Sequence, residues 1–473
     1  MRQITADICV IGAGSGGLSV AAGAAQLGQK TVPIERHRMG GDCLNVGCVP
    51  SKALIAAAHA AHAQRHPGPL GVAPVAPVID FQAVHDHVHG VIAEIAPHDS
   101  VARFQALGVE VIAAEGRFID RNTVEAGDAR ITARRFVIAT GSRPAIPPLP
   151  GLGDVPWFTN ETIFELNICP RHLVVVGGGA IGLELAQAFR RLGAEVSVVE
   201  RAEMLGRDDP EAAGYATRAL AAEGIALLPR TEITGITRDG ADIALTTRNA
   251  GGEGRLLASH LLVAAGRRPN IEGLGLEAAG IAASPTGITV DKRLRTANRR
   301  VYAIGDVAGG LQFTHVAGWH AGLFIRNALF RLPVDASNTR AIPRVTYTDP
   351  ELAHVGLTEV EAAARGAIRI LRWPLAENDR ARAAHRLDGL AKIITDRRGR
   401  ILGATLVGPG AGELIAPWVL ALSQGLGIGA MASAVAAYPT LGEIGKRAAG
   451  SFFTPSLFSA RTRALVRFLA RFG

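Results

Sequence analysis

Apolar residues in the first part of the chain come as short unbroken runs, each followed by glycines and then by a helix-forming stretch. Asp7-Ile8-Cys9-Val10-Ile11 is such a run, and it leads into Gly12-Ala13-Gly14-Ser15-Gly16-Gly17 and an alanine-rich segment from about Leu18 to Leu27. A short apolar run bounded by turn signals reads as a buried strand, and Lys30 to Glu35 reads as a second one ending in an acid. The whole pattern returns later: strand Leu173 to Val176, Gly177-Gly178-Gly179-Ala180-Ile181-Gly182, helix Leu183 to Leu192, and strand Glu195 to Val199 ending in Glu200. Between the two units lie a helix from Ala53 to Arg65, a Pro/Gly-rich loop from Pro67 to Pro77 and a helical stretch from Phe81 to about Leu107. Strand-like runs follow near Val109 to Ala113 and Thr123 to Glu125. An apolar strand, Arg135 to Ile138, then closes in Ala139-Thr140-Gly141, before a proline-rich linker from Pro144 to Pro150. Leu261-Leu262-Val263-Ala264-Ala265-Gly266 closes the second unit. Val301-Tyr302-Ala303-Ile304-Gly305-Asp306 is a further strand ending in an aspartate, and from about Ile342 the character changes to alternating strands near Lys392 and Leu402.

At 473 residues the chain is too long for one core, so two or three domains are expected. No apolar run approaches the roughly 20 residues of a membrane span, and the first strand begins too early to leave room for a signal peptide. A cytoplasmic protein is the expectation. The net charge of +8 raises nucleic acid as a partner. The basic residues are scattered and almost all arginine, without a basic block interleaved with aromatics, so no nucleic-acid binding is expected.

Each Gly-x-Gly-x-x-Gly sits between a strand and a helix, the context in which backbone N–H groups and a helix dipole hold a pyrophosphate. Gly12, Gly14 and Gly17 form the first fingerprint, with Glu35 at the distance of a ribose-binding acid. Gly177, Gly179 and Gly182 form the second, with Glu200 in the same place. Two dinucleotide sites follow.

Cys43 and Cys48 lie five residues apart in Gly40-Gly41-Asp42-Cys43-Leu44-Asn45-Val46-Gly47-Cys48-Val49-Pro50-Ser51-Lys52. That spacing is a little over one helical turn, so on a locally distorted helix the sulfurs can approach closely enough to bond. A redox pair, a static bridge and two separate core thiols are the readings. With four cysteines and no secretory signal, the redox pair fits best. A helix N-terminus and Lys52 would both favour a thiolate. His59, His62 and His66, and again His85, His87 and His89, have spacings that could hold a metal. They read as solvated helix faces, and no metal site is expected.

The cysteine stretch, with its double glycine, both cysteines and the Pro-Ser-Lys that follows, resembles the active-site signature of the flavoprotein disulfide reductases. These are the class I pyridine nucleotide-disulfide oxidoreductases, the family of dihydrolipoamide dehydrogenase, glutathione reductase and mercuric reductase. The resemblance spans nearly the whole chain in family order. It implies an α/β fold of two Rossmann-like dinucleotide-binding domains plus a C-terminal α+β dimerisation domain. The division is an FAD-binding domain in two parts, 1–148 and 269–341, an NAD(P)-binding domain at 149–268 and an interface domain at 342–473. It implies FAD at the first fingerprint, with Arg36, Gly41, Asp42, Lys52, Ala139, Thr140, Gly141, Asp306 and His315 among its contacts. NAD(H) is implied at the second fingerprint, with Gly266 nearby. Glu200 would accept bonds from a free 2′-hydroxyl and repel a 2′-phosphate, favouring NADH over NADPH, although Arg201 and Arg207 are close by. By the same resemblance Cys48 is the thiolate beside the flavin, Cys43 exchanges with a thiol/disulfide or soft-metal substrate, and Glu184 pairs with Lys52. A homodimer is implied, each interface domain giving a residue to its partner's site.

One departure bears on substrate. Disulfide-specific members carry His-Pro-x-x-x-Glu, whose histidine shuttles the thiol proton. Here the element reads Tyr438-Pro439-Thr440-Leu441-Gly442-Glu443, and a tyrosine with a pKa near ~10 is a poor base at neutral pH. Mercuric reductases also lack that histidine but use a C-terminal cysteine pair, and this chain has no cysteine after Cys169. The rival readings are an NADH:quinone reductase or oxidase and a non-enzymatic nucleotide-sensing or membrane-peripheral scaffold. For the scaffold the only hint is the tail Ser459 to Phe472, where Leu465, Phe468, Leu469 and Phe472 stand opposite Arg463, Arg467 and Arg471. Packing of that stripe on its own domain is expected rather than membrane contact.

Overall fold

The computed structural model describes residues 1–337 and 339–472. The apolar run at the start extends to a ten-residue strand β1 (Arg2–Ile11), followed by helix α1 (Ser15–Gln26) and strand β2 (Thr31–Glu35). β1 pairs in parallel with β2 on one side and with strand Ala129–Ile138 on the other. Ile8 to Ile11 are all buried, as a strand covered on both faces requires. Strand Ala129–Ile138 is longer than its apolar end. Ala129, Ile131 and Ala133 point inward and Arg130, Thr132 and Arg134 outward, so the first half alternates and belongs to an antiparallel meander with Thr123–Ala126 and Gly116–Phe118. Strand Val301–Ala303 returns from far along the chain and pairs in parallel with the same strand, completing a seven-stranded sheet.

The second fingerprint lies in its own parallel sheet of four strands, ordered Ala226–Leu228, Glu195–Val199, His172–Val176 and His260–Val263. An antiparallel three-stranded sheet, residues 232–258, packs its apolar face against one side. The chain leaves the first sheet through Ser142–Pro144 and comes back through Arg267–Pro269, and these two segments pair antiparallel at the crossing. The last third builds a five-stranded antiparallel sheet, ordered Arg344–Thr346, Glu351–Gly356, Ile401–Gly408, Leu390–Asp396 and Ile368–Pro374. Lys392, on its fourth strand, is buried and reaches Asp209, Glu211 and Glu359 at 2.7, 3.0 and 2.6 Å. Asp209 and Glu211 lie at the start of helix Pro210–Ala222, so the sheet is fastened by charge to the second nucleotide unit.

Three local expectations change. The cysteines are not on one distorted helix: helix α2 (Gly41–Asn45) ends, Val46 and Gly47 leave helical geometry, and helix α3 (Cys48–Arg65) begins anew. The stretch from Phe81 to Leu107 is broken as well. Helix α4 (Phe81–Ile95) gives way to a turn containing Pro97, and helix Val101–Ala106 restarts where the Ser100 hydroxyl accepts the Arg103 N–H. The C-terminal helix Ala460–Leu469 does not pack its apolar stripe on its own domain: Leu465, Phe468, Leu469 and Phe472 are each more than half exposed. Among the described residues no element covers that stripe, and no helix is long and apolar enough to cross a membrane.

Candidate active site

The two nucleotide units repeat each other closely at their turns. A Cβ on Gly17 would fall 1.9 Å from the Gly12 carbonyl oxygen, and one on Gly182 would fall 2.0 Å from that of Gly177, so in both units helix and strand touch backbone to backbone. The Glu35 carboxylate accepts the N–H groups of Ala13 and His37 at 2.7 and 2.8 Å. Glu200 accepts those of Gly178 and Ala202 at 2.8 and 2.7 Å. Gly14 and Gly179 are the N-caps of α1 and of helix Ala180–Arg191, and no side chain caps either end or places an acid in the first turn. Orphan N–H groups at a helix start, with an acid fixed across the turn, suit a dinucleotide. The residues present therefore fit both cofactors expected from the sequence.

The cysteine segment is docked directly on the first fingerprint. Gly41 has φ +63°, and a Cβ there would lie 2.7 Å from the Gly14 Cα, so only glycine allows this approach. A cleft of about 1360 Å³ opens here. Of the residues singled out in the sequence, it brings together Gly12, Gly14, Glu35, Arg36, Gly41, Asp42, Cys43, Cys48, Lys52, Ala139, Thr140, Gly141, Glu184, Asp306 and His315. Gly17, Gly177, Gly179, Gly182, Glu200 and Gly266 do not line it. The second unit meets it through Ala180, Ile181, Glu184 and Leu185.

Both thiols are free, Cys43 half-buried and Cys48 exposed. Cys48 is the first residue of the 18-residue helix α3, where the dipole favours a thiolate. Its pKa is held down to about 6, chiefly by the hydrogen bond that Cys43 donates to it, with the Thr314 hydroxyl and the Lys52 charge acting the same way against burial. The Cys48 sulfur lies 3.4 Å from Thr314 Oγ1. Cys43 is pushed up, first by that same hydrogen bond and then by burial. The pair thus carries one proton, on Cys43, over the neutral range.

Lys52 follows Cys48 one turn later on the same face of α3. Its Nζ lies 2.7 Å from Glu184 Oε2 and 4.3 Å from the centre of the Tyr347 ring, while Glu184 Oε1 accepts the Tyr347 N–H at 2.9 Å. Glu184 is buried. Burial pushes the Tyr347 phenol up, partly offset by Lys52. Three parts of the chain therefore converge on Lys52.

At the other side of the cleft, Ser142 Oγ donates to Asp306 Oδ2 at 2.5 Å. Arg267 donates to the Ser142 hydroxyl and carbonyl and reaches Asp42 Oδ2 at 3.1 Å. Burial pushes the Asp306 carboxyl up. Thr314, Tyr347 and Arg267 were missed as site residues. Thr314 precedes His315 and Arg267 follows Gly266 in the chain, while Tyr347 lies just after the point where the last third begins, but no spacing rule picks them out.

Tyr438 and Glu443 lie outside the cleft. The Tyr438 hydroxyl donates to Asp379 Oδ2 at 3.1 Å, and that bond is the main cause raising its pKa. Glu443 does not face Tyr438 as its hydrogen-bond partner; it stands 4.0 Å from Arg447, one turn along its own helix. His315 Nε2 is 2.9 Å from the Pro343 carbonyl.

Residues 6–321 match the pyridine nucleotide-disulphide oxidoreductase family, and residues 342–449 match the dimerisation domain of that family. The chain belongs to this family and is an FAD-dependent pyridine nucleotide-disulfide oxidoreductase with a C-terminal dimerisation domain. It is 36% identical to the mercuric reductase of Streptomyces lividans, across 94% of this chain and 96% of that one. It is likewise 36% identical to the dihydrolipoyl dehydrogenase of Thermus scotoductus, across 93% and 95%. Among solved structures it is similar to the HOCl-induced flavoprotein disulfide reductase RclA of Escherichia coli, with a TM-score of 0.84 and 27% identity over 96% of this chain and 100% of that one. LpdA of Mycobacterium tuberculosis gives a TM-score of 0.86 and 29% identity over 95% and 99%.

Proposed function

We propose that Cys43 and Cys48 are the redox couple of this oxidoreductase, taking electrons from NADH and passing them to an acceptor that needs no proton shuttle. A soft metal ion, or a disulfide whose leaving sulfur ionises readily, is that acceptor. The observation that carries this reading is the asymmetry of the pair, a thiolate-favouring Cys48 at a helix start and a proton-holding Cys43 beside it. FAD, when bound in the cleft, supplies the two-electron relay between nicotinamide and sulfur.

The chain's own residues do the rest. The amides that follow Gly14 and Gly179 bind the two diphosphates, and Glu35 and Glu200 hold the riboses. Asp306, clamped by Ser142, would hold the sugar-alcohol chain of the flavin cofactor. Opening the Cys43–Cys48 disulfide takes two electrons and one proton; the proton stays on Cys43 and Cys48 is left as thiolate, steadied by Lys52 and Thr314. Closing it again gives two electrons to the acceptor and releases that proton. Tyr438 and Glu443, away from the cleft of their own chain, serve the partner's cleft in a homodimer. Tyr438 steadies a sulfur there but does not move its proton. The likeness to mercuric reductases supports the soft-metal reading.

The test is anaerobic turnover with NADH against Hg(II) in excess thiol, dihydrolipoamide's disulfide and a quinone. Cys43→Ala abolishes the first two and spares the third. If all three survive in the variant, electrons leave directly from the flavin and the cysteines are auxiliary.

A further inference from the structure

A second cluster of chemistry-bearing side chains lies outside the dithiol. Helix α4 carries His85 and His89 four residues apart, so both rings stand on one face, with centroids 4.2 Å apart. The short turn Ile163–Glu165, from a distant part of the chain, packs against that face. His89 Nε2 is 3.9 Å from Glu165 Oε2, and one ligand atom from each of His85, His89 and Glu165 lies within 4.8 Å of the other two. His87, between the two histidines in sequence, is exposed and turned away from the cluster.

Two features separate this arrangement from a solvated helix face. The rings are half-buried, and His89 is packed on the turn that carries Glu165. His85 Nδ1 is 3.0 Å from Asp86 Oδ1. A carboxylate on one ring nitrogen keeps the proton there and leaves the other nitrogen as a lone-pair donor, the support found behind metal-ligating histidines.

We propose that His85, His89 and Glu165 form a site for a late first-row divalent cation, Zn(II) or Cu(II), with water in the fourth position. Two imidazoles and a carboxylate are the donors such ions prefer. Ligand atoms about 2 Å from the ion stand roughly 3.3 Å apart, so a side-chain rotation of Glu165 closes the cluster. His89 then gives up its 3.2 Å contact with the Phe164 carbonyl. Phe164 and Glu165 also line the dithiol cleft, so the ion ties α4 to the wall of that cleft. The site is independent of which acceptor the dithiol serves.

The test uses the full-length flavoprotein carrying Cys43→Ser and Cys48→Ser, which removes competing thiolates. Cu(II) is followed by electron paramagnetic resonance and Zn(II) by titration calorimetry. One saturable equivalent is expected, with hyperfine splitting from two imidazole nitrogens. His85→Ala and His89→Ala each abolish it, and Asp86→Asn weakens it by about 10- to 100-fold. His87→Ala leaves it unchanged, and flavin absorbance checks that every variant is folded. No saturable equivalent, binding that survives His89→Ala, or binding lost equally in His87→Ala would overturn the proposal.

Discussion

Lys52 Nζ and Glu184 Oε2 lie 2.7 Å apart, joining the redox helix to the first helix of the second nucleotide unit beside the Cys48 sulfur. The ammonium and the Thr314 hydroxyl both hold the Cys48 pKa down. Lys52→Met and Thr314→Val should therefore each raise the pH midpoint for alkylation of the reduced enzyme from its wild-type value near 6. Once that midpoint passes neutrality, every further rise of one unit in the midpoint lowers the thiolate fraction at pH 7, and with it the alkylation rate, roughly tenfold. Glu184→Ala leaves Lys52 and the Tyr347 N–H without their partner and should destabilise the fold by about 1–3 kcal/mol in thermal unfolding.

On the proposed reading, the choice of nucleotide depends on Glu200. Its carboxylate is fixed by two backbone N–H groups at the end of its strand, so it cannot swing away from a 2′-phosphate. NADH should reduce the flavin faster than NADPH. Glu200→Ala should narrow that gap by about tenfold, or 1.4 kcal/mol. Equal wild-type rates in stopped flow would mean that Arg201 or Arg207 governs the site.

In the proposed function Tyr438 stands where disulfide-specific members carry the proton-shuttling histidine, and its phenol, bonded to Asp379, is raised further from the neutral range than a free one. Turnover with dihydrolipoamide should be slower by about the 10²- to 10⁴-fold that a positioned acid–base group contributes. Tyr438→His should raise the dihydrolipoamide rate selectively while leaving quinone reduction unchanged. Fast wild-type turnover with dihydrolipoamide, without a gain in the variant, would contradict this role.

The elements around both fingerprints were legible because strand, glycines, helix and acid recur with local spacing. The nearness of the two cysteines was legible from their spacing, but the helix expected to carry both is two helices. What escaped was the relation between segments distant in sequence. Thr314 meets Cys48 only because Val301–Ala303 returns to the first sheet, and Tyr347 covers Lys52 only because the last sheet is fastened through Lys392. Asp379 meets Tyr438 because another helix brings it near, a relation that spacing along the chain does not show. The break between α2 and α3 falls at Gly47, where a Cβ would lie 2.9 Å from the Asp42 carbonyl oxygen; one isolated glycine in a helical stretch is tolerated often enough that it did not mark an end by itself.

Acid should weaken the protein through its buried histidines. His320 Nδ1 accepts the Gly305 N–H at 3.1 Å, and burial holds His320 and His354 down to about 4. Both are bases with folded pKa values below the unfolded one. The unfolded chain therefore takes up protons first, and stability falls as pH drops from about 6.5 to 4, by up to roughly 1.4 kcal/mol for each histidine per unit of pH. His320→Asn keeps an acceptor for Gly305 and should flatten part of the slope in thermal unfolding. Since Gly305 adjoins Asp306, release of flavin fluorescence should track the same transition.

The most direct test of the dithiol account is an anaerobic titration of the purified yellow protein with NADH, read across the visible spectrum. Two electrons per site should produce the long-wavelength absorbance of a thiolate lying beside oxidised flavin. That band should persist down to a pH near 6, where the Cys48 thiolate protonates, and be absent from Cys48→Ser. Immediate bleaching of the wild-type flavin without the band would show that the electrons never reach Cys43 and Cys48, and would contradict the account.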